Sequence, residues 1–261
     1  MTPLVDIHCH ILPGLDDGPP DDEEAVRMCR VAWEDGTRTI VATCHQGGRW
    51  EHISRGHILQ ATTAFAPKLK EAGIDLVIYP GAELALSFDL QQRLRDGTAM
   101  TLADQHKYVL LEFPRGLALD FREYVAELVA SGLTPILAHP ERYPDLREDD
   151  RMIESLVQHG CLIQVNSSGL LGGQGREVQA CVRKWIERWL VHFVASDGHS
   201  AEKRPPRLSQ AYREIESWAG AVVADRLCSL NGLAVVASRR INAPSPRPPK
   251  KRWFSFLQRT S

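Results

Sequence analysis

The chain has 261 residues, 43% of them hydrophobic and 25% charged, with a net charge of −2. That composition is globular, the length suits one large α/β domain with a sizeable core, and the near-neutral charge excludes nucleic-acid binding by the molecule as a whole. Six scattered cysteines, with no C-x-x-C and no secretory leader, predict reduced thiols in a cytoplasmic protein, and no apolar run reaches transmembrane length.

In chain order, Val5 to Ile11 reads as a strand, with Asp6, His8 and His10 on one face and Ile7, Cys9 and Ile11 on the other. Two imidazoles and a carboxylate at a strand end make either half a metal site or a hydrogen-bonded histidine pair in a core. Pro19-Pro20 followed by Asp21, Asp22, Glu23 and Glu24 marks a helix start, and Gly36 its end. Thr39 to Cys44 is a β-branched strand closed by His45, with a Gly47-Gly48-Arg49-Trp50 loop behind it. A helical stretch near 58–70 is interrupted by Pro67. Leu76 to Tyr79 is a third strand that leads through Pro80-Gly81-Ala82 to Glu83, and Tyr108 to Leu111 a fourth that ends at Glu112. A helix over 121–129 precedes the fifth strand, Thr134 to Ala138, which ends at His139-Pro140-Glu141-Arg142. The sixth, Leu162 to Val165, ends at Asn166, and the seventh, His192 to Ala195, runs into Asp197-Gly198-His199. Helices follow near 207–218 and 222–237; Leu233 to Ala237 has strand character but ends in no polar residue, and helix is preferred.

Unbroken βα alternation predicts a parallel sheet with crossover helices. Strands that nearly all end in His, Asp, Glu or Asn favour a closed barrel, because their C-terminal ends converge on one mouth. His8, His10, Asp17, His45, Glu83, Glu112, His139, Asp197 and His199 would then share a cavity. Taken singly, each is accounted for as a loop polar residue or a helix cap. Together, five imidazoles and four carboxylates exceed the needs of one cation and imply two or three metals. Mixed nitrogen and oxygen donors suit Mn, Fe or Zn better than Mg or Ca. A cysteine-nucleophile phosphatase is set aside: the residues six beyond each cysteine are Leu15, Asp35, Trp50, Ser167, Glu187 and Ala234, none of them arginine.

The runs Asp6-Ile-His-Cys-His10, Asp16-Asp17-Gly18, Ala42-Thr-Cys-His45, Pro80-Gly-Ala-Glu83, Ala138-His-Pro-Glu-Arg142, Ala195-Ser-Asp-Gly-His199 and Arg204-Pro-Pro resemble the polymerase-and-histidinol-phosphatase (PHP) superfamily. They look most like its bacterial capsule and exopolysaccharide tyrosine-phosphatase branch, over residues 4 to about 237. Gln46 and Ala82 depart from the usual residues of that branch; neither removes a ligand. The resemblance implies a distorted seven-stranded (β/α)7 TIM-like barrel over 1–240 and a trinuclear site, usually manganese. In it His8, His10, Glu83 and Asp197 hold one metal; Glu83, Glu112 and His139 a second; Asp17, His45 and His199 a third. Arg142 and Arg204 would bind phosphate while a metal-bridging hydroxide attacks phosphorus. The implied substrate is phosphotyrosine on the Tyr-rich tail of a membrane-associated tyrosine kinase of capsule assembly. The competing readings are a small-molecule phosphatase of the histidinol-phosphate kind and a non-catalytic metal-binding regulatory module. Residues 241–261 form a Pro-rich basic tail expected to be extended and disordered, whose Lys250-Lys251-Arg252-Trp253-Phe254 segment is either solubilising or docks on the anionic inner membrane face.

Overall fold

The structure is a computed structural model in which residues 2–114 and 120–248 are described. Seven strands pair side by side in chain order, all parallel: β1 (Leu4–Cys9), β2 (Thr37–Gln46), β3 (Val77–Ala85), β4 (Tyr108–Glu112), β5 (Thr134–Ala138), β6 (Leu162–Asn166) and β7 (Phe193–Ala195). The sheet closes on itself where β7 leaves the ladder. Asp197 N–H donates to the His8 carbonyl at 2.8 Å, His10 N–H donates to the Gly198 carbonyl at 2.9 Å, and Cys9 bridges Gly198. The result is the expected distorted (β/α)7 barrel.

Strand alternation sorts the side chains into layers. Val5, Ile7, Val41, Leu110, Ile136 and Phe193 form an apolar cluster inside the barrel, plugged by Leu102 and by Val235 of the helix Asn231–Val236. That stretch is helical, as preferred over an eighth strand. Two residues further along the same faces the filling turns polar: Glu83 follows Gly81, Glu112 follows Leu110, and Gln164 follows Leu162. Gly81 is required in the lower layer, since a Cβ there would lie 2.6 Å from Val41 Cγ1. Outside, helices cover the strands. The first, Asp22–Glu34, is capped by Asp21, which accepts from Glu24 N–H at 2.9 Å.

Three local expectations are corrected. The helix Arg55–Glu71 runs unbroken through Pro67; Thr63 and Pro67 are exposed, so water can satisfy the carbonyl that the missing N–H leaves free. β3 continues through Pro80-Gly81 to Ala85, because at Pro80 only β2 flanks it and β4 joins from Glu83 onward. Asp6 does not share a face with His8. The pairing register breaks between Asp6 and Cys9, which turns His8 inward, and Asp6 Oδ1 instead accepts from the backbone N–H of His8 and of Ser196. The start of the tail is ordered, against the expectation of disorder: Ile241 packs against the inner cluster, Arg247 N–H donates to the Arg188 carbonyl at 2.8 Å, Arg188 Nε donates to the Arg247 carbonyl at 3.1 Å, and the Arg247 guanidinium lies 3.6 Å over the Trp189 ring. The Lys250 to Leu257 segment lies outside the described residues.

Candidate metal centre

All nine residues singled out as ligands meet at the C-terminal mouth of the barrel. His8 Nε2 and His10 Nε2 face each other at 3.2 Å. Glu83 Oε2 lies 3.4 and 3.5 Å from them, and Asp197 Oδ1 3.5 and 3.6 Å. Donors about 2.1 Å from one cation in a tetrahedral array stand about 3.4 Å apart, so each of these carboxylate oxygens has, with the two imidazole nitrogens, the spacing of donors to one cation. Glu83 reaches further: its Oε1 is 2.8 Å from His139 Nε2, and its Oε2 is 3.1 Å from His45 Nδ1. Asp17 Oδ1 sits 3.4 Å from His45 Nε2 and 3.5 Å from His199 Nε2. The donor atoms therefore fall into overlapping groups: His8, His10 and Asp197; His8, Glu83 and His139; His45, Glu83 and Glu112; and His10, Asp17, His45 and His199. Glu83 joins two of them. Glu112 sits beside His45, and His139 beside His8.

The electrostatics call for positive charge at this point. Burial disfavours a cationic imidazole, yet Asp16 and Glu83 hold His10 well above its ordinary value, and Glu83 and Asp197 raise His8. Burial would raise Glu83, but His8, His10 and His139 keep it well below the usual carboxylate range. His199, desolvated and close to His10, is pushed down to about 3. A set of buried imidazoles and carboxylates that favours added positive charge fits divalent cations.

Several residues that orient this set escape a reading of strand ends. Asp16 Oδ2 lies 2.7 Å from His10 Nδ1 and accepts from His45 N–H at 2.9 Å. Gln164 Oε1 lies 2.9 Å from His8 Nδ1, and its amide donates to Asn166 Oδ1, whose own amide donates to Asp197 Oδ2 at 2.8 Å. Such partners fix which ring nitrogen points at the cation. Glu141, fully buried, accepts from Asn166 N–H at 2.7 Å, and burial pushes its carboxyl up to about 7. Gln46, though buried, lines the cavity beside the metal centre and ties down the 98–100 loop through Thr98 and Met100.

Both arginines converge on Asp197 Oδ2, Arg142 Nη1 at 3.2 Å and Arg204 Nη2 at 2.8 Å. Arg142 pairs with neither Glu141 nor Asp145 in this arrangement. The arginines edge a cavity of about 410 Å³ whose far wall is the glycine-rich loop. Gly47 and Gly48 both take positive φ there, Trp50 stacks on His45 with ring planes 2° apart, and Arg49 pairs with Asp17 at 3.1 Å. Every cysteine is buried, and burial raises the Cys9 and Cys44 thiols well above their ordinary value, which removes them as nucleophiles.

A closed parallel barrel with clustered imidazoles and carboxylates at its C-terminal mouth defines a barrel hydrolase of the metal-dependent kind. The family model for capsular polysaccharide synthesis, CpsB/CapC, matches residues 4–237, and the chain belongs to that family. It is 32% identical to tyrosine-protein phosphatase YwqE of Bacillus subtilis (strain 168) over 256 residues, covering 97% of this chain and all of the relative. It is also 32% identical to tyrosine-protein phosphatase CpsB of Streptococcus pneumoniae, over 91% of this chain and all of that one. A crystal structure from the study of YwqE and CpsB, described there as unique metal-dependent tyrosine phosphatases, superposes with a TM-score of 0.89 at 31% identity over 95% of this chain and all of that one. A β-aspartyl dipeptidase from Fervidobacterium islandicum shares the fold alone, with a TM-score of 0.57 at 16% identity.

Proposed function

We propose that this chain is a metal-dependent protein-tyrosine phosphatase that removes phosphate from a tyrosine-phosphorylated protein of capsule or exopolysaccharide assembly, a tyrosine kinase tail being the fitting substrate. The observation that carries this reading is the paired imidazoles of His8 and His10, flanked by Glu83 and Asp197, beside a cavity edged by Arg142 and Arg204. His8, His10, Asp17, His45, Glu83, Glu112, His139, Asp197 and His199 would hold two or three divalent ions, with Mn2+ the best match to the donor set and Fe or Zn the alternatives. When bound, such ions supply an acidified water and positive charge for the phosphoryl oxygens.

The chain's own groups do the rest. Arg142 and Arg204 present planar forks that can take two phosphoryl oxygens each. Asn166 holds Asp197 Oδ2 when the guanidinium groups turn toward a substrate, so Oδ1 stays aimed into the cage. Trp50 and Phe113 line the cavity and offer flat apolar walls to a phenyl ring. A phenolate leaves readily and needs little protonation, which suits a site whose histidines are committed to other contacts.

The test is metal analysis paired with phosphotyrosine-peptide turnover on one preparation. Chelation should abolish turnover, Mn2+ should restore it better than Zn2+ or Fe2+, and phosphoserine peptides should be poor substrates. Full turnover by metal-free protein would overturn the mechanism. No helix among the described residues is long and apolar enough to cross a membrane. Contact with an anionic membrane would therefore fall to the basic, aromatic segment 250–257. Because Arg247 is docked on the barrel, the informative truncation ends at Pro248. Equal sedimentation of that version and the full chain with anionic vesicles would rule this contact out.

A further inference from the structure

A second concavity adjoins the metal centre at its arginine edge. It measures about 820 Å³, twice the size of the cavity over the metals, and shares Arg142, Asp197 and Arg204 with it. Beyond that shared edge it is lined by Lys203, Arg207 and Arg213, all exposed. Among the described residues no ion pair is formed by any of the three. The one carboxylate on that wall beyond the shared edge, Asp35, accepts from Leu208 N–H, Ser209 N–H and the Ser209 hydroxyl at 2.6 to 2.7 Å, and its single charge leaves the three cations in excess. On the opposite side of the metal cavity, across Gln46 and Gly48, the neighbouring hollow carries Glu51 and Asp89 against a single Arg93. A molecule of net charge −2 therefore places uncompensated positive charge along one of the two exits from its site.

We propose that this groove binds anionic side chains of the substrate polypeptide on one flank of the phosphotyrosine, and so selects acidic or multiply phosphorylated sequences. This rests on the phosphatase reading above. Arg142 and Arg204 hold the reacting phosphate at the shared edge, and the chain continuing from it runs over Lys203, Arg207 and Arg213. There, carboxylates or a second phosphoryl group replace the missing partners. The other exit, with Glu51 and Asp89, takes the neutral flank. Long-range attraction of this kind acts on encounter and on KM, and fades with salt.

The experiment compares R207E/R213E and R207K/R213K with the wild type, all loaded with Mn2+. The substrates are p-nitrophenyl phosphate and phosphotyrosine peptides with Glu, Gln or a second phosphotyrosine on the N-terminal or the C-terminal side. Wild type should favour acidic over Gln flanks on one side only, about five- to tenfold in kcat/KM and through KM, the modest gain that a pair of exposed ion pairs supplies. R207E/R213E should lose that ratio while p-nitrophenyl phosphate turnover stays unchanged, and R207K/R213K should keep most of it. Preference for Glu flanks identifies carboxylates as the groove's ligand; preference confined to the doubly phosphorylated peptide identifies the phosphoryl group. The same ratio in wild type and R207E/R213E, or no flank preference in wild type, overturns the groove and leaves the phosphatase reading standing. Failure of wild type on every peptide and on p-nitrophenyl phosphate sinks the phosphatase reading itself.

Discussion

Asp197 answers two demands at once. Its Oδ1 points into the cage while Oδ2 collects Asn166, Arg142 and Arg204. Burial would raise its carboxyl, but His8, then His139 and His10, hold it well below its usual range. Its backbone, like that of His139, sits in the left-handed region, at φ 53° and 35°, a conformation that costs non-glycine residues about 1–3 kcal/mol each. Such strain persists because the strand ends and their hydrogen bonds leave no alternative. Arg142→Ala and Arg204→Ala should each keep bound metal, since Asn166 still holds Oδ2, and should lower turnover by about a hundredfold. Arg→Lys should recover only part of it, because an ammonium cannot make the forked contact. Metal content and kcat measured together check both statements. Asp16→Asn should weaken metal affinity by about 10- to 100-fold, with turnover recovered at saturating Mn2+. Unchanged affinity in a metal titration would remove Asp16 from its role in orienting His10.

At the scale of elements, the two-residue alternation that carries the barrel's filling from apolar to polar explains what could be read in advance. Strand ends such as His45, Glu83, Glu112 and His139 follow apolar runs and advertise themselves. Gln164 lies inside a strand and Asp16 inside a loop, so neither ends a run, and only the fold brings them to His8 and His10. Asp6 misleads because a register break is a property of two paired strands and leaves no mark in one of them. Pro67 and Pro80 look like breaks because a missing donor matters only where a partner is waiting for it. Gly81→Ala should destabilise the barrel by about 1–3 kcal/mol through overpacking against Val41, read from the urea midpoint. His192, just ahead of β7, offers a cleaner pH probe. Burial, and then Arg226, push its imidazole down to about 3, and its Nδ1 accepts from Ile163 N–H at 3.0 Å. The unfolded imidazole binds a proton first as pH falls, so stability is complete above about 6.5 and is lost progressively toward 3. His192→Asn keeps an acceptor in place and removes the titration. Between pH 7.5 and 5 it should lose about 2 kcal/mol less than wild type.

For the molecule as a whole, metal and fold should be thermodynamically linked, because the donor set gathers ligands from six strand ends and from the loop that carries Asp17. At a thousandfold excess over Kd, binding adds about 4 kcal/mol to the folded state. Chelation should therefore lower Tm by roughly ten degrees for a domain of this size. A Tm indifferent to chelator would mean that the cage forms without reference to a cation. The barrel's outline was legible because βα alternation repeats without interruption. The docking of Arg247 was not, since Pro-rich basic composition describes a free tail equally well and only contact with Trp189 and Arg188 distinguishes the two.

The seam between β1 and β7 has a consequence for how the protein is made. His8 and His10 leave the ribosome first among the cage residues, while Asp197 and His199 emerge roughly 10 to 40 s later at ordinary rates of synthesis. Through that interval the nascent chain displays a histidine pair whose last partners, Asp197 and His199, do not yet exist. The hydrogen bonds that shut the barrel, Asp197 N–H to the His8 carbonyl and His10 N–H to that of Gly198, are made by the same residues that complete the cage. Metal capture is thus a closing event, a clasp fastened after translation has passed residue 199, and any cation taken up earlier by the first histidines lacks Asp197 and His199 and the barrel closure they make.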